Sequence, residues 1–217
     1  MISVTVEGIS KALGAELSGP GDQAAVVAAL TADSRMVVPG ALFVALPGEH
    51  VDGHDYVAAA INAGAVAALT RRPVKGALCL VVVDPLVALG RLSRYLIDRS
   101  SGDGLCAIGI TGSVGKTTVK DLTRAALAPR YAVHANVRSF NNELGVPLTL
   151  CRLERDTEVC ITEMGMRGMG QIAWLASFAK PWPVRASTRH KSASACSATS
   201  STPRRRTCTC RASLRST

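Results

Sequence analysis

The sequence predicts an α/β fold in two units followed by a disordered basic tail. Three observations carry that reading. Short apolar runs alternate with segments of helical period through residues 1–181, the pattern of a parallel sheet covered by helices. A Gly-rich loop, Thr111 to Gly115, stands between an apolar run and a helical one. Apolar periodicity then stops at Lys180-Pro181. The first unit is a small α/β domain over residues 1–100. The second is an incomplete P-loop domain on a parallel sheet over residues 105–181. The tail is residues 182–217.

In the first unit, Ser3 to Leu13 reads as a short helix that Gly14 ends. Ala41 to Leu46 is a strand. His54 to Ala63 is helical, with Gly64 placed to close it in a left-handed cap. Ala65 to Thr70 and Ala77 to Asp84 read as buried strands. Asp84 then caps a helix with Pro85 at its first position, where a missing N–H loses no bond. Leu86, Leu89, Leu92, Leu96 and Ile97 continue it at helical spacing. Ser100 to Gly104 is a linker. In the second unit, Leu105 to Ile110 is a strand. Lys116 to Ala128 is a helix whose core face is Val119, Leu122, Ala126 and Leu127. Tyr131 to Ala135 and Glu158 to Glu163 are strands. Gly170 to Ala179 is a helix with Ile172, Leu175, Ala176 and Ala179 on one side.

Composition bounds the function classes. The 217 residues fit one large or two small domains, and with 4% aromatics the layers are built from Ala, Val and Leu. No run reaches the ~18 apolar residues of a membrane span. The best, Gly76 to Gly90, is broken by Asp84-Pro85. The first residues lack the basic and apolar regions of a secretory signal. A cytoplasmic chain with no membrane partner is expected. The net charge of +9 suggests nucleic acid until it is located. Residues 182–217 hold seven Arg, one Lys and no acid, which leaves 17 basic against 16 acidic residues over 1–181. No aromatics interleave with those Arg residues, so no nucleic-acid partner is expected. Cys79, Cys106, Cys151 and Cys160 sit in or beside apolar runs, where a thiol packs as a small hydrophobe. Cys196, Cys208 and Cys210 fall in the tail, and no C-x-x-C pair offers zinc or redox chemistry.

Four segments carry chemistry. The strongest is Gly112-Ser113-Val114-Gly115-Lys116-Thr117-Thr118 after the strand ending at Ile110. Glycines let backbone N–H groups approach phosphate oxygens, and the helix N-terminus adds positive potential. Lys116 is placed for the β/γ-phosphates and the Thr117 hydroxyl for Mg²⁺. Ile110 occupies the first Gly position of the strict pattern, so the loop is a variant, G-x-x-G-K-T-T. The second is Glu163 at a strand's carboxyl end, where open α/β sheets face their ligands. A carboxylate there suits a metal ion bridging phosphates; from position alone the commoner reading is a solvated strand end. The third, Ser139-Phe140-Asn141-Asn142-Glu143-Leu144-Gly145-Val146-Pro147, has turn chemistry, and its amides also suit ligand contact. The fourth pairs Asp33-Ser34-Arg35 with Gly48 to His54. Arg35 matches a phosphate bidentately, or is a surface Arg beside an Asp/Ser turn. His50 and His54 lack an evident third ligand for a metal.

In this order the four segments resemble the Mur ligases of peptidoglycan synthesis. The T-G-x-x-G-K-T-T loop with Glu163 after a later strand is similar to the family's ATP site. Asp33-Ser34-Arg35, Leu42 to Leu46 and Asp52-Gly53-His54 resemble the UDP-binding amino-terminal domain. Asn141 to Pro147 with Glu163-Met164-Gly165 is most similar to the last-acting member, which joins D-alanyl-D-alanine to UDP-N-acetylmuramoyl-tripeptide. The resemblance implies a UDP-muramoyl-peptide-binding domain over 1–100 and part of an ATP-binding domain over 105–181. It implies an ATP- and Mg²⁺-dependent amide-bond ligase working through an acyl phosphate, in a cytoplasmic monomer. Its site residues would be Lys116 in catalysis, and Gly112, Ser113, Val114, Gly115, Lys116, Thr117, Thr118, Asn141 and Asn142 at ATP. Thr117 and Glu163 would hold the metal, and Asp33, Ser34 and Arg35 would lie near UDP.

After Pro181 the resemblance stops. An Asn- and His-bearing segment, a lysine that many members carbamylate and a closing third domain are not recognisable. Residues 182–217 contain eight Ser, six Thr and seven Arg, with only Val184 and Leu214 as branched aliphatics. Such a segment buries too little apolar surface to offset its ordering entropy. Its residue types are those of GC-rich codons read out of frame, so an out-of-frame tail is expected, and a chain that by itself forms no amide bond. The competing class is an inactive module that only binds UDP-sugar peptide or nucleotide.

Overall fold

A computed structural model describes residues 1–48, 51–100, 104–137 and 140–181. The expectations placed on the tail, on the middle of the linker and on His50 and Ser139 lie outside the described residues.

The first half builds on a five-stranded sheet. Its strands are β2 (Glu16–Ser18), β4 (Ala29–Thr31), β5 (Ala41–Val44), β6 (Ala65–Thr70) and β7 (Cys79–Val81), in the order β2-β7-β6-β5-β4. β4 to β7 run parallel, and β2 joins β7 antiparallel. β1 (Val4–Thr5) pairs with β3 (Val26–Val27) in a separate ribbon. Every residue of β5 is buried, as expected of a parallel strand covered on both faces. Leu42 and Val44 face α1 (Val6–Leu13) and α3 (Pro85–Ser100); Phe43 meets α2 (Val57–Asn62). The caps are local chemistry. The Thr5 hydroxyl accepts from Gly8 N at 3.1 Å, and Asp84 Oδ1 accepts from Leu86 N at 2.8 Å and Val87 N at 3.1 Å.

The second half is a parallel three-stranded sheet of order β8-β10-β9: β8 (Cys106–Ile110), β10 (Val159–Glu163) and β9 (Val133–Ala135). Leu127 of α4 (Lys116–Leu127) packs on one face with Ile110, Val159 and Ile161. On the other face lie α5 (Gly145–Cys151) and α6 (Gln171–Ala179). Val146, Leu150, Leu175 and Phe178 of these helices share one apolar cluster with Leu89, Leu92 and Leu96 of α3. The two sheets are thus joined through α3.

Several expectations change. The chain enters α1 through Val4–Thr5, because those residues pair with β3. β7 ends at Val81, and Val83 is 89% exposed where the chain leaves the sheet toward the Asp84 cap. The expected core face of α4 holds only at Leu127: Val119 is 43% and Leu122 66% exposed, while Lys120 is buried. The helix turns its Lys120–Leu127 side to the sheet, and three strands do not reach around to the other apolar stripe. Cys106 is exposed, while Cys79, Cys151 and Cys160 are buried. Among the described residues, no helix is long and apolar enough to cross a membrane.

Candidate functional site

Register builds the site. Glu163 of β10 lies opposite Ile110 of β8, so both parallel strands end at the same edge. The loop after Ile110 rises from that edge into α4. Gly115 caps the helix at φ 80°, a left-handed conformation that glycine adopts without strain. Lys116, Thr117 and Thr118 open the helix, and their N–H groups lack intrahelical acceptors, which leaves a positive end at the loop. Lys116 Nζ donates to Gly112 O at 2.8 Å across the loop. Gly112, Ser113, Val114 and Thr118 are exposed.

Glu163 is 1% exposed, so it is not a solvated strand end. Its Oε2 accepts from the Thr117 hydroxyl at 2.9 Å and its Oε1 from Asn141 Nδ2 at 2.8 Å. The Asn141 carbonyl accepts from Gly165 N at 2.7 Å, and a Cβ on Gly165 would sit 2.7 Å from Asn141 Oδ1, so only glycine admits this approach. Asn142 does the turn's work: its Oδ1 accepts from Gly145 N at 2.8 Å where α5 begins. Within this segment Asn142 makes the turn, while the neighbouring Asn141 side chain meets Glu163.

A cleft of about 160 Å³ opens beside these groups, lined by Lys116, Asn141, Asn142, Glu143, Arg167 and Gln171 among others. Gln171 Nε2 donates to Glu143 Oε1, tying α6 to the loop before α5. Sequence reasoning missed Gln171, Arg167, Asn136 and Lys120 as members of this region. Lys120 lies one turn beyond Lys116, a spacing that places both on one side of the helix. Nothing in the local pattern marks Asn136.

Asp33, Ser34 and Arg35 form a separate cluster in the turn after β4. Asp33 Oδ1 accepts from Arg35 N at 3.0 Å, and the carboxylate grips the guanidinium at 2.9 and 2.8 Å. That grip holds the Asp33 carboxyl at a pKa of about 2 and raises Arg35. Arg35 points into solvent with its side chain 87% exposed. No hydrogen bond among the described residues ties this cluster to Glu163. His54 is committed on both ring nitrogens: Nδ1 meets Asp52 Oδ1 at 2.6 Å, and Nε2 accepts from Arg71 N at 3.0 Å. It is a packed histidine, and the described residues contain no group of three metal-ligating side chains.

Comparison with known proteins decides the family. Residues 26–90 match the model for the Mur ligase family, catalytic domain, and residues 110–183 match the Mur ligase middle domain. The UDP-N-acetylmuramoyl-tripeptide–D-alanyl-D-alanine ligase of Synechocystis is 46% identical over 153 residues, 69% of this chain and 33% of the relative. The chain belongs to the Mur ligase family. Among solved Mur ligase structures, MurF from Acinetobacter baumannii superposes with a TM-score of 0.75 at 29% identity, covering 82% of this chain and 39% of that one. The MurF ligase of Thermotoga maritima, in complex with ADP, superposes at 0.64 and 29% identity over 71% of this chain and 36% of that one. This Mur ligase chain spans a third to two fifths of the length of the curated relatives it matches.

Proposed function

We propose that this chain carries the ATP site and the UDP-substrate domain of a ligase that adds D-alanyl-D-alanine to UDP-N-acetylmuramoyl-tripeptide, consuming ATP. The observation that carries it is the contact of Thr117 with buried Glu163 at the mouth of a Gly-rich loop that begins a helix. The names of the relatives and the ADP in the Thermotoga structure support the substrates.

The residues' work follows from their chemistry. The N–H groups from Gly112 to Thr118 cradle phosphate oxygens. Lys116 leaves Gly112 O for the transferred phosphoryl group and offsets its charge. Glu163 and Thr117 present a carboxylate and a hydroxyl oxygen to one space, the hard donor set that suits Mg²⁺. The ion, when bound there, neutralises charge on the phosphates. Asn141 keeps the Glu163 carboxylate aimed at that space. Asp33, Ser34 and Arg35 serve the UDP moiety, with Arg35 pre-aligned by Asp33. In the reaction, a peptide carboxylate oxygen attacks the γ-phosphorus and ADP leaves. The amine of D-alanyl-D-alanine then attacks the acyl carbon, an N–C bond forms, and phosphate leaves as the nitrogen loses its proton. The protein works in the cytoplasm as a monomer. Calorimetry of Lys116→Ala with Mg·ATP tests the site: affinity should drop by about tenfold or more. Unchanged affinity overturns the assignment.

A further inference from the structure

We infer that Asn136 is a positioning residue for Glu163: its side-chain amide extends the sheet by one residue and so fixes where the Glu163 carboxylate points. The inference rests on the nucleotide-site reading above and concerns a residue which that reading leaves without a role.

β9 ends at Ala135, paired with Ile161. One residue on, the main chain makes its last ladder bond, from Asn136 N to Ile161 O at 3.4 Å, yet Glu163 is not left unpaired on that side. Asn136 Oδ1 accepts from Glu163 N at 2.6 Å, and Asn136 Nδ2 donates to Glu163 O at 3.0 Å. An amide side chain has the donor and acceptor of a peptide group, so it substitutes for the strand residue that is absent. The same Nδ2 donates to Phe140 O at 2.7 Å. Phe140 precedes Asn141, whose own amide grips Glu163 Oε1. One side chain therefore sets both the backbone that carries the carboxylate and the loop that orients it.

A third element joins. Lys120 Nζ donates to Asn136 O at 3.1 Å, with the Lys120 side chain 3% exposed. Lys120 stands on α4, the helix that begins with Lys116 and Thr117. Asn136, itself 3% exposed, thus links α4, β10 and the Asn141 loop at one buried point. Both Glu163 carboxylate contacts, to Thr117 and to Asn141, start from elements that this point holds. No group other than an amide meets the demand. An aspartate has the same shape but offers no donor to Glu163 O or Phe140 O, and adds a second anion beside Glu163.

The test uses the full 217-residue chain and Mn²⁺ as the probe, with free Mn²⁺ read by electron paramagnetic resonance in the presence of ATP. Asn136→Ala and Asn136→Ser should weaken nucleotide-dependent Mn²⁺ binding about tenfold or more, the usual effect of removing a group that orients a metal's carboxylate. Asn136→Asp should weaken it further. In a Glu163→Gln background the Asn136→Ala effect should vanish, because the residue acts through that carboxylate; a general loss of structure would persist there. Urea unfolding of each variant gives the stability change separately, and Asn136→Ser keeps the comparison available where Asn136→Ala does not fold. Wild-type affinity in Asn136→Ser, or an equal loss with and without Glu163, overturns the inference. If the parent chain binds Mn²⁺ no more tightly with ATP than without, the nucleotide-site reading falls and this inference with it.

Discussion

Gly90 of α3 lies against the far end of the Phe178 ring of α6: a methyl group on Gly90 would sit 2.5 Å from the ring's Cζ. The Phe178 ring is in turn held edge-on by Trp174, with centroids 4.4 Å apart. This contact joins a helix packed on the five-stranded sheet to one packed on the three-stranded sheet. It is a close backbone approach that only glycine permits.

Gly90→Ala sets two effects against each other. Alanine favours a helix over glycine by about 1 kcal/mol. Overpacking a tight contact costs about 1–3 kcal/mol, and Trp174 leaves the Phe178 ring little room to retreat. A lower urea midpoint is the expected outcome. Adding Phe178→Leu should restore part of it, since the obstruction is then smaller. A midpoint above the parent's would show that the ring is not wedged.

Thr117→Val keeps the shape of the side chain and removes the hydroxyl that meets Glu163. Metal-dependent ATP binding should weaken about tenfold, while the binding that remains in excess EDTA stays near the parent's. Thr123→Val is the control, because its hydroxyl bonds only within α4, to Val119 O. Equal losses with and without metal would remove Thr117 from the cation's donor set.

Much of this arrangement was legible in the residues. The loop from Thr111 to Gly115 stands where an apolar strand meets a helix, and a strand–loop–helix of that composition has few other uses. Glu163 was legible as a strand end but not as buried, because burial depends on Asn141 and Asn136 arriving from a segment more than 20 residues away. The strands β1 to β4 have two or three residues each, too short to carry a period. α5 was hidden by Gly145 and Pro147, which read as a turn; Pro147 sits in the helix's first turn, where its missing N–H has no intrahelical partner. On α4 the apolar stripe misled, since the side that meets the sheet carries Lys120 instead.

The Asp33–Arg35 pair should respond to acid. Asp33 in the folded chain titrates at about 2, below the ordinary 3.8, chiefly because it accepts hydrogen bonds from the Arg35 guanidinium. A depressed carboxyl pKa favours the fold above the ordinary value, and that contribution is lost as pH falls from about 3.8 towards 2. A carboxyl carbon NMR titration should place the Asp33 midpoint near 2, well below the ordinary 3.8. Arg35→Ala should return it toward the ordinary range. Because Arg35 is exposed and Asp33 only half-buried, high salt should shrink the shift. An Asp33 midpoint unmoved by Arg35→Ala would separate the two residues.

The cysteines make a prediction that reads the fold directly. Burial pushes the Cys160 thiol up to about 12 and Cys151 higher still, so neither is a thiolate near neutral pH. Cys79 is buried as well, whereas Cys106 is exposed at the start of β8. The thiolate is the reacting species, and access to the reagent is required too. Under native conditions at mildly alkaline pH, iodoacetamide should label Cys106 well before Cys79, Cys151 or Cys160, with peptide mapping by mass spectrometry reporting each position separately. Denaturant should bring the four to similar rates. Cys160 lies at the centre of the three-stranded sheet, paired with Ala107 on one side and His134 on the other. Native labelling of Cys160 at the rate of Cys106 would mean that β10 opens on its own, and with it the strand end that carries Glu163.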